Sequence, residues 1–248
     1  VAIGASDAGI YVGQSDRVIV KNSRAEYNVA GIEIENTTNA DVFDNVATNN
    51  TGGILVFNMP NLPQTGEKTR VFNNQIVENN TGNFAPEGTA VAGVPAGSGI
   101  VINSNDEVEI FGNVLRDNAT ANIVISSFFS SGYSDRATVD HFDPYPEAIY
   151  IYDNQFEGGG NNPDGVELQA LRVAQYGLTG SFPDVLWDGF VNESLLDQGR
   201  LPEGRGICIQ NGDVKELNVD MANEYANARD ESSAFDCELP RLPAISLL

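Results

Sequence analysis

Basic residues are scarce in this 248-residue chain. It has 13 Lys and Arg against 35 Asp and Glu, which gives a formal net charge of −22 and a pI near 4.1. Because phosphates and anionic lipid headgroups are bound by clusters of basic side chains, this balance argues strongly against a nucleic-acid partner and disfavours docking on an anionic membrane. An acidic surface keeps a secreted or periplasmic protein in solution and can attract divalent cations.

Metal-binding and redox residues are also few. There are two cysteines, Cys208 and Cys237, and one histidine, His141. Without a Cys-x-x-Cys or Cys-x-x-Cys-His sequence, a structural zinc site and a c-type haem are disfavoured. A disulfide that joins the C-terminal tail to the last coil is favoured over two free buried thiols.

Long apolar runs are absent as well. No stretch approaches the roughly 20 apolar residues that a membrane-spanning helix needs, so no transmembrane segment is predicted. The first residues, VAIGASDA, resemble the second half of a repeat unit. We therefore expect an N-terminal segment, including any signal sequence, to precede Val1.

The chain does contain a repeat. Units of the form Gly-Ile-x-(Val/Ile/Leu) begin at Gly9, Gly31 and Gly53, each 22 residues apart. Within a unit the apolar residues alternate, as in Ile32 and Ile34, which is the period of a strand with one buried face. Asn residues follow the strands and suit sharp corners, because Asn tolerates the left-handed backbone conformation. The pattern predicts the coils of a single parallel β-helix, an all-β solenoid.

Later units are interrupted by insertions. We predict a parallel β-helix over residues 1–212 and a C-terminal capping tail over 213–248, with a short helix around 221–229. A sixth coil is predicted to begin at Gly165. The insertions are predicted at 58–70, 81–98, 129–147 and 171–205.

Stacking explains how such coils become stable. Strands of successive coils lie about 4.8 Å apart and share backbone hydrogen bonds, while aligned Ile and Val side chains form apolar columns inside. Aligned Asn residues can form ladders of side-chain amides at the corners. The open C-terminal end exposes strand edges, and the tail beyond Gly206 is expected to cover it.

The units resemble a known family. Runs such as GIEIENTTNADVFDN, RVFNNQIVENN and DPYPEAIYIYDNQF are similar to right-handed parallel β-helix repeats of the carbohydrate-binding and sugar-hydrolase group, which includes NosD-like and epimerase-like proteins. The closer resemblance is to exported bacterial β-helix repeat proteins, often lipoproteins, that are encoded beside a cytochrome-like partner. This resemblance implies a periplasmic, outer-membrane-attached or extracellular protein.

The first three insertions are expected to leave the stack after the strand that begins Gly-Ile, and so to wall a groove along one sheet. The loop 129–147 holds the most reactive side chains. A polysaccharide lyase or C5-epimerase needs a base, an acid and a group that neutralises a uronate, and His141, Tyr145 and Arg136 can take these roles. The alternative is that these residues only fold a long loop.

Two further site hypotheses concern the same groove. Asp140, Asp143 and Glu147 are candidate ligands for Ca²⁺, which prefers carboxylate and carbonyl oxygens, although no Asp-x-Asp-x-Asp-Gly loop is present. Aromatic side chains can stack on sugar rings or merely anchor loops. The candidates are Phe57, Phe84, Phe128, Phe129 and Tyr133.

These observations leave three functions open. The preferred one is an extracytoplasmic protein that binds a glycan or a partner protein in the groove. The second is a scaffold for a periplasmic redox partner, and the third is the lyase or epimerase. The high negative charge disfavours long anionic glycans unless cations bridge them.

Overall fold

The computed structural model describes residues 1–198, 201–230 and 232–246, where the chain forms 19 short strands in three parallel sheets. The first sheet contains β2 (Ala8–Gly13), β5 (Ala30–Glu35), β8 (Gly52–Phe57), β11 (Ser98–Asn103), β14 (Ala121–Ser126), β17 (Val185–Trp187) and β19 (Glu216–Asn218). The second contains β3 (Asp16–Lys21), β6 (Thr38–Phe43), β9 (Glu67–Phe72), β12 (Asp106–Phe111), β15 (Ile149–Tyr152) and β18 (Ile207–Gln210). The third contains β1 (Ala2–Ile3), β4 (Arg24–Glu26), β7 (Val46–Thr48), β10 (Gln75–Val77), β13 (Val114–Arg116) and β16 (Gln155–Glu157).

Each coil runs from the first sheet to the second, then the third, and on to the next coil. Equivalent residues pair directly, so that Ile10 lies beside Ile32 and Ile32 beside Ile54. These inward columns are closed to solvent: Ile32, Ile54, Ile100 and Ile123 are all 0% exposed. The predicted parallel β-helix is confirmed.

Two columns of asparagine hold the corners of the third sheet. At the corner before it, side-chain amides link Asn45, Asn74, Asn113 and Asn154 at 2.9–3.1 Å, and Asn154 continues to Asn211. At the corner after it, a second ladder runs through Asn28, Asn50, Asn79, Asn118 and Asn122 at 2.8–3.1 Å. Each amide donates to the next, so the predicted ladders are present and bind neighbouring coils together.

The residue before the first ladder takes the left-handed conformation in each coil. Asn22, Asp44, Asn73 and Asp153 have φ between 51° and 54°. Asn and Asp adopt this conformation at lower cost than other side chains, and glycine does so freely. Gly112, with φ of 63°, occupies the same corner in the fourth coil.

The predicted disulfide between Cys208 and Cys237 is formed, and it fixes the tail in an unexpected place. From Cys237 the chain runs along the outer face of the second sheet, where Arg241 stacks over Tyr152 and the Ile245 amide donates to Asp41 at 3.2 Å. Tail residues therefore cover the side of the cylinder as well as its end. β19 lies within the predicted tail 213–248, so the first sheet extends by one strand beyond residue 212.

The prediction of a sixth coil at Gly165 is wrong. The segment forms α1 (Val166–Tyr176), because Glu, Leu, Gln and Ala favour a helix and Leu171 and Arg172 are buried on one side. The sixth strand of the first sheet is instead β17, from within the predicted insertion 171–205.

The helix predicted around 221–229 is only a 3₁₀ turn at Met221–Asn223, and a second helix, α2, spans Ser232–Phe235. Residues 199–200, 231 and 247–248 of the predicted segments lie outside the described residues. In the described part of the chain, neither α-helix is long and apolar enough to cross a membrane.

Candidate ligand-binding cleft

The insertions meet over the outer face of the first sheet, but they do not all leave it from one edge. The loops 58–66 and 127–148, predicted as 58–70 and 129–147, follow β8 and β14 as predicted, although β9 already begins at Glu67. The loop 78–97 instead lies between β10 and β11. The prediction for 81–98 was wrong because Asn79 still belongs to the corner ladder, so the chain leaves the stack before the Gly-Ile strand.

The loops therefore bridge the sheet from both sides. Arg136 donates to the Gly88 carbonyl, and the Val139 amide donates to the Pro60 carbonyl at 2.8 Å. We call residues 81–97 and 127–147 the roof. It covers the middle of the first sheet, where Leu55 and Val101 point outward and are 0% and 4% exposed.

Beyond the roof a cavity of about 260 Å³ remains open. We call it the first-sheet cleft. Its floor is the aliphatic outer face of three adjacent strands, formed by Val101, Val124 and Leu186. Its walls come from the roof, from α1 and from the segment after β19, through Val94, Pro95, Gly132, Tyr133, Leu168, Val219 and Tyr225.

Helix α1 forms one wall because its apolar side packs on the sheet. Leu171 belongs to a buried cluster with Phe182 and Leu186, and Leu168 packs against the same cluster. The helix thus extends the apolar surface of the first sheet and forms one wall of the cleft.

Polar groups form a connected row along the cleft. The Tyr133 hydroxyl donates to Asn103 Oδ1 at 2.6 Å, and Asn103 Nδ2 donates to Ser126 Oγ at 2.8 Å. Burial raises the pKa of Tyr133, so its hydroxyl stays protonated and remains a donor. Tyr133 thereby fixes the orientation of the Asn103 amide at the edge of the apolar floor.

Asp188 ends this row. It is 5% exposed and accepts hydrogen bonds from the Ser127 amide and the Ser130 hydroxyl, both at 2.6 Å, and from the Phe190 amide at 3.1 Å. Burial raises the pKa of Asp188, and these donors oppose the rise. The carboxylate therefore anchors the start of the roof loop while it lines the cleft.

An acidic pair lies at the other end of the same face. Glu33 is 2% exposed on the row of Leu55, and burial, followed by the nearby Glu35 and Asp7, raises its pKa to about 8. The Tyr11 hydroxyl donates to Glu35 Oε1 at 2.7 Å. At neutral pH, Glu33 is therefore mostly a neutral carboxylic acid.

The proposed calcium ligands do not meet in one group. Asp140 is exposed, Asp143 accepts from the Tyr145 amide at 3.1 Å, and Glu147 pairs with Arg205. The described residues contain no group of three or more His, Cys, Asp or Glu that could hold a metal ion. Calcium binding stays a prediction from composition.

The three residues of the catalytic hypothesis also face different neighbours. Arg136 stacks over Tyr133 with 5.7 Å to the ring centroid, Tyr145 packs against Phe129 at 5.4 Å, and His141 is exposed at the loop tip. These contacts anchor the roof, and no shared substrate position follows from them.

Two of the predicted aromatic residues, Phe57 and Tyr133, line the cleft. Phe128 is 7% exposed and packs with Met59, whereas Phe129 and Phe84 are 45% and 43% exposed elsewhere on the roof.

Sequence reasoning missed the floor and Asp188. A signal for the floor exists, because GILVF, GIVIN and NIVIS are apolar on both faces of the strand. A strand that is apolar on both faces is covered on both faces.

A larger cavity, of about 580 Å³, is lined by residues from 189–196, 201–208 and 233–239 at the C-terminal end. It is bordered by Trp187 and Phe235 at the end of the core, whose rings are 5.5 Å apart, so it belongs to the cap.

Comparison with known proteins gives one family. A family model described as right handed beta helix region matches residues 2–141, which is more than half of the chain. No curated protein and no solved structure gives a significant match. The chain belongs to the right-handed β-helix family.

Proposed function

We propose that this protein is an extracytoplasmic glycan-binding module that holds its ligand in the first-sheet cleft. The compartment is supported by the disulfide, because such bonds persist in oxidising environments outside the cytoplasm. Periplasmic, outer-membrane-attached and extracellular locations all fit this condition.

The single observation that carries the proposal is the composition of the cleft. An aliphatic floor, exposed mainly at Val124, lies beside a row of amide and hydroxyl groups from Asn103, Ser126 and Tyr133. A sugar ring presents an apolar face of C–H groups and an edge of hydroxyls, and burial of those hydroxyls requires hydrogen-bond partners. The donors of this row already bond within the protein, but the Ser126 and Tyr133 hydroxyl oxygens keep acceptor lone pairs for sugar hydroxyls beside the aliphatic floor.

The size of the cleft limits how much of a ligand it encloses. Its volume of about 260 Å³ is slightly below the ~300–1,000 Å³ typical of sites for drug-sized ligands. We therefore expect it to take one or two rings of a glycan, with the rest of the polymer outside.

The test is a calorimetric titration of the protein with neutral, acidic and amino oligosaccharides. Val124 is partly exposed on the floor, so Val124→Phe fills the cleft without entering the core and should weaken binding at least ~10-fold.

Tyr133→Phe removes the hydroxyl that orients Asn103 and should weaken binding less. Tyr27→Phe is its matched control, because Tyr27 is 54% exposed at a corner away from the cleft. Absence of binding to every oligosaccharide by folded wild-type protein, or unchanged binding by Val124→Phe, contradicts the proposal.

A further inference from the structure

The charged residues of the first-sheet cleft are all of one sign. Asp164, Glu167 and Asp188 border it, and its described lining includes no Lys, Arg or His. Among the described residues, none of the ion pairs involves these three carboxylates. Asp164 and Glu167 are exposed at the rim of the cleft, where a ligand meets them directly, whereas Asp188 is 5% exposed deeper in the lining.

The carboxylates stand on two sides of the apolar floor. Asp188 lies at the end of β17, and Asp164 and Glu167 stand at the start of α1. Asp164 is held in place because its Oδ2 accepts from the Ala96 amide at 2.9 Å, which ties it to the roof. A bound ring would thus lie on an aliphatic surface between fixed negative groups.

Charge complementarity distinguishes the ligand classes. A uronate would place its carboxylate among other carboxylates without a compensating base. A neutral sugar would gain only hydrogen bonds from its hydroxyls to them, without charge attraction. A protonated amine would be attracted by all three, and the net charge of −22 would steer it towards the protein.

We infer that the cleft selects glycans that carry free amino groups, so that its ligand is a cationic amino sugar rather than an N-acetylated, neutral or acidic one. This inference rests on the proposed glycan-binding function of the same cleft. In this arrangement the sugar ring packs on the aliphatic floor, and its ammonium group lies near the carboxylates.

The experiment compares three β-1,4-linked oligosaccharides of equal length, made of glucosamine, N-acetylglucosamine or glucose. Binding is measured by calorimetry at pH 6, where the amine is protonated. The expected result is that the glucosamine oligomer binds at least ~10-fold more tightly than the other two.

Two double variants test whether the cleft is responsible. Asp164→Asn with Glu167→Gln removes two charges at the cleft and should bring the glucosamine oligomer close to the affinity of the N-acetylated one. Asp44→Asn with Glu157→Gln removes two exposed charges on other faces and should leave the preference unchanged.

The outcomes separate the two proposals. Equal binding of all three oligomers would overturn the amino-sugar inference and leave the glycan-binding function standing. A preference that survives in Val124→Phe, or that falls equally in both double variants, would show diffuse attraction to an acidic surface and overturn the inference. Absence of binding to any of the three, and to the wider panel, would contradict both.

Discussion

A few carboxyl groups are held in their neutral form by the fold. Glu33 on β5 and Asp106 on β12 each have a pKa raised to about 8. Burial is the first cause in both cases, and nearby carboxylates add to it: Glu35 for Glu33, and Asp143 with Glu147 for Asp106. Such groups make the stability of the fold depend on pH.

For Glu33 the direction of the dependence is clear. The unfolded chain releases its proton near pH 4.5, whereas the folded chain keeps it up to about pH 8. The contribution of Glu33 to stability is therefore complete below pH 4.5 and is lost as the pH rises to 8. One pKa unit corresponds to about 1.4 kcal/mol, so the loss amounts to a few kcal/mol.

We predict that Glu33→Gln stabilises the protein at pH 8 relative to the wild type and that this gain shrinks towards pH 4.5. Chemical denaturation across this pH range measures the difference. Glu26→Gln, on the third sheet and ion-paired with Arg24, is the control. If the free energies of unfolding of Glu33→Gln and wild type differed by the same amount at every pH, the raised pKa of Glu33 would be contradicted.

The amide ladders are a second residue-scale feature. Asn113 is 0% exposed, donates to Asn154 Oδ1 and the Val71 carbonyl, and accepts from the amide groups of Asn74. Removing its side chain leaves buried groups without partners, which costs about 1–3 kcal/mol each before relaxation.

We predict that Asn113→Ala lowers the free energy of unfolding by about 3 kcal/mol, combining these losses. Asn161→Ala, at an exposed asparagine, should change it by less than about 0.5 kcal/mol. Similar losses in the two variants would mean that the ladder does not join the coils.

At the scale of the element, strands are more predictable than their interruptions. The coils are predictable from the spacing of Gly9, Gly31 and Gly53 together with the pattern inside each unit. One face of each strand must be apolar, and the corners favour Asn or Gly. The point at which the 81–97 loop leaves the stack is not predictable in this way. The preceding strand, β10, has only three residues, so the sequence does not show where the strand ends and the corner begins. At Gly165, the sequence Gly-Val resembles the start of a strand. In the structure the segment is a helix, in which Leu171 is buried.

The tail is the element whose position depends on one covalent bond. The disulfide joins residues 29 apart in the sequence, and a loop of that size corresponds to about 3–4 kcal/mol in the chain-entropy account. Without it, only non-covalent contacts such as those of Leu239, Arg241 and Ile245 hold the tail on the second sheet.

We predict that reduction of the disulfide lowers the melting temperature and makes residues beyond Cys237 sensitive to proteolysis. Thermal scans and limited digestion with and without reductant measure the two effects. The Cys208→Ala, Cys237→Ala double variant should have the melting temperature and tail sensitivity of the reduced protein, and reductant should change neither. Equal protection of the tail in both states would show that the bond is dispensable for its placement.

At the scale of the whole molecule, the sequence predicts the cylinder but not the site. Asn103, Tyr133 and Asp188 come together from three parts of the chain, and no spacing or motif links them. The acidic composition predicts a negative electrostatic potential over the protein surface. Only the structure shows which carboxylates lie beside an apolar floor. In the loop 129–147, Arg136 and Tyr145 make contacts within the roof, whereas His141 is exposed, and a catalytic role for the three stays a prediction.

Hydrogen exchange can show whether a ligand enters the first-sheet cleft. Backbone amide exchange should be compared for the protein alone and with the glucosamine oligomer. We predict slower exchange in residues 121–133 and in α1, with little change in the second sheet. Protection confined to the second or third sheet, or protection that persists in Val124→Phe, would contradict it.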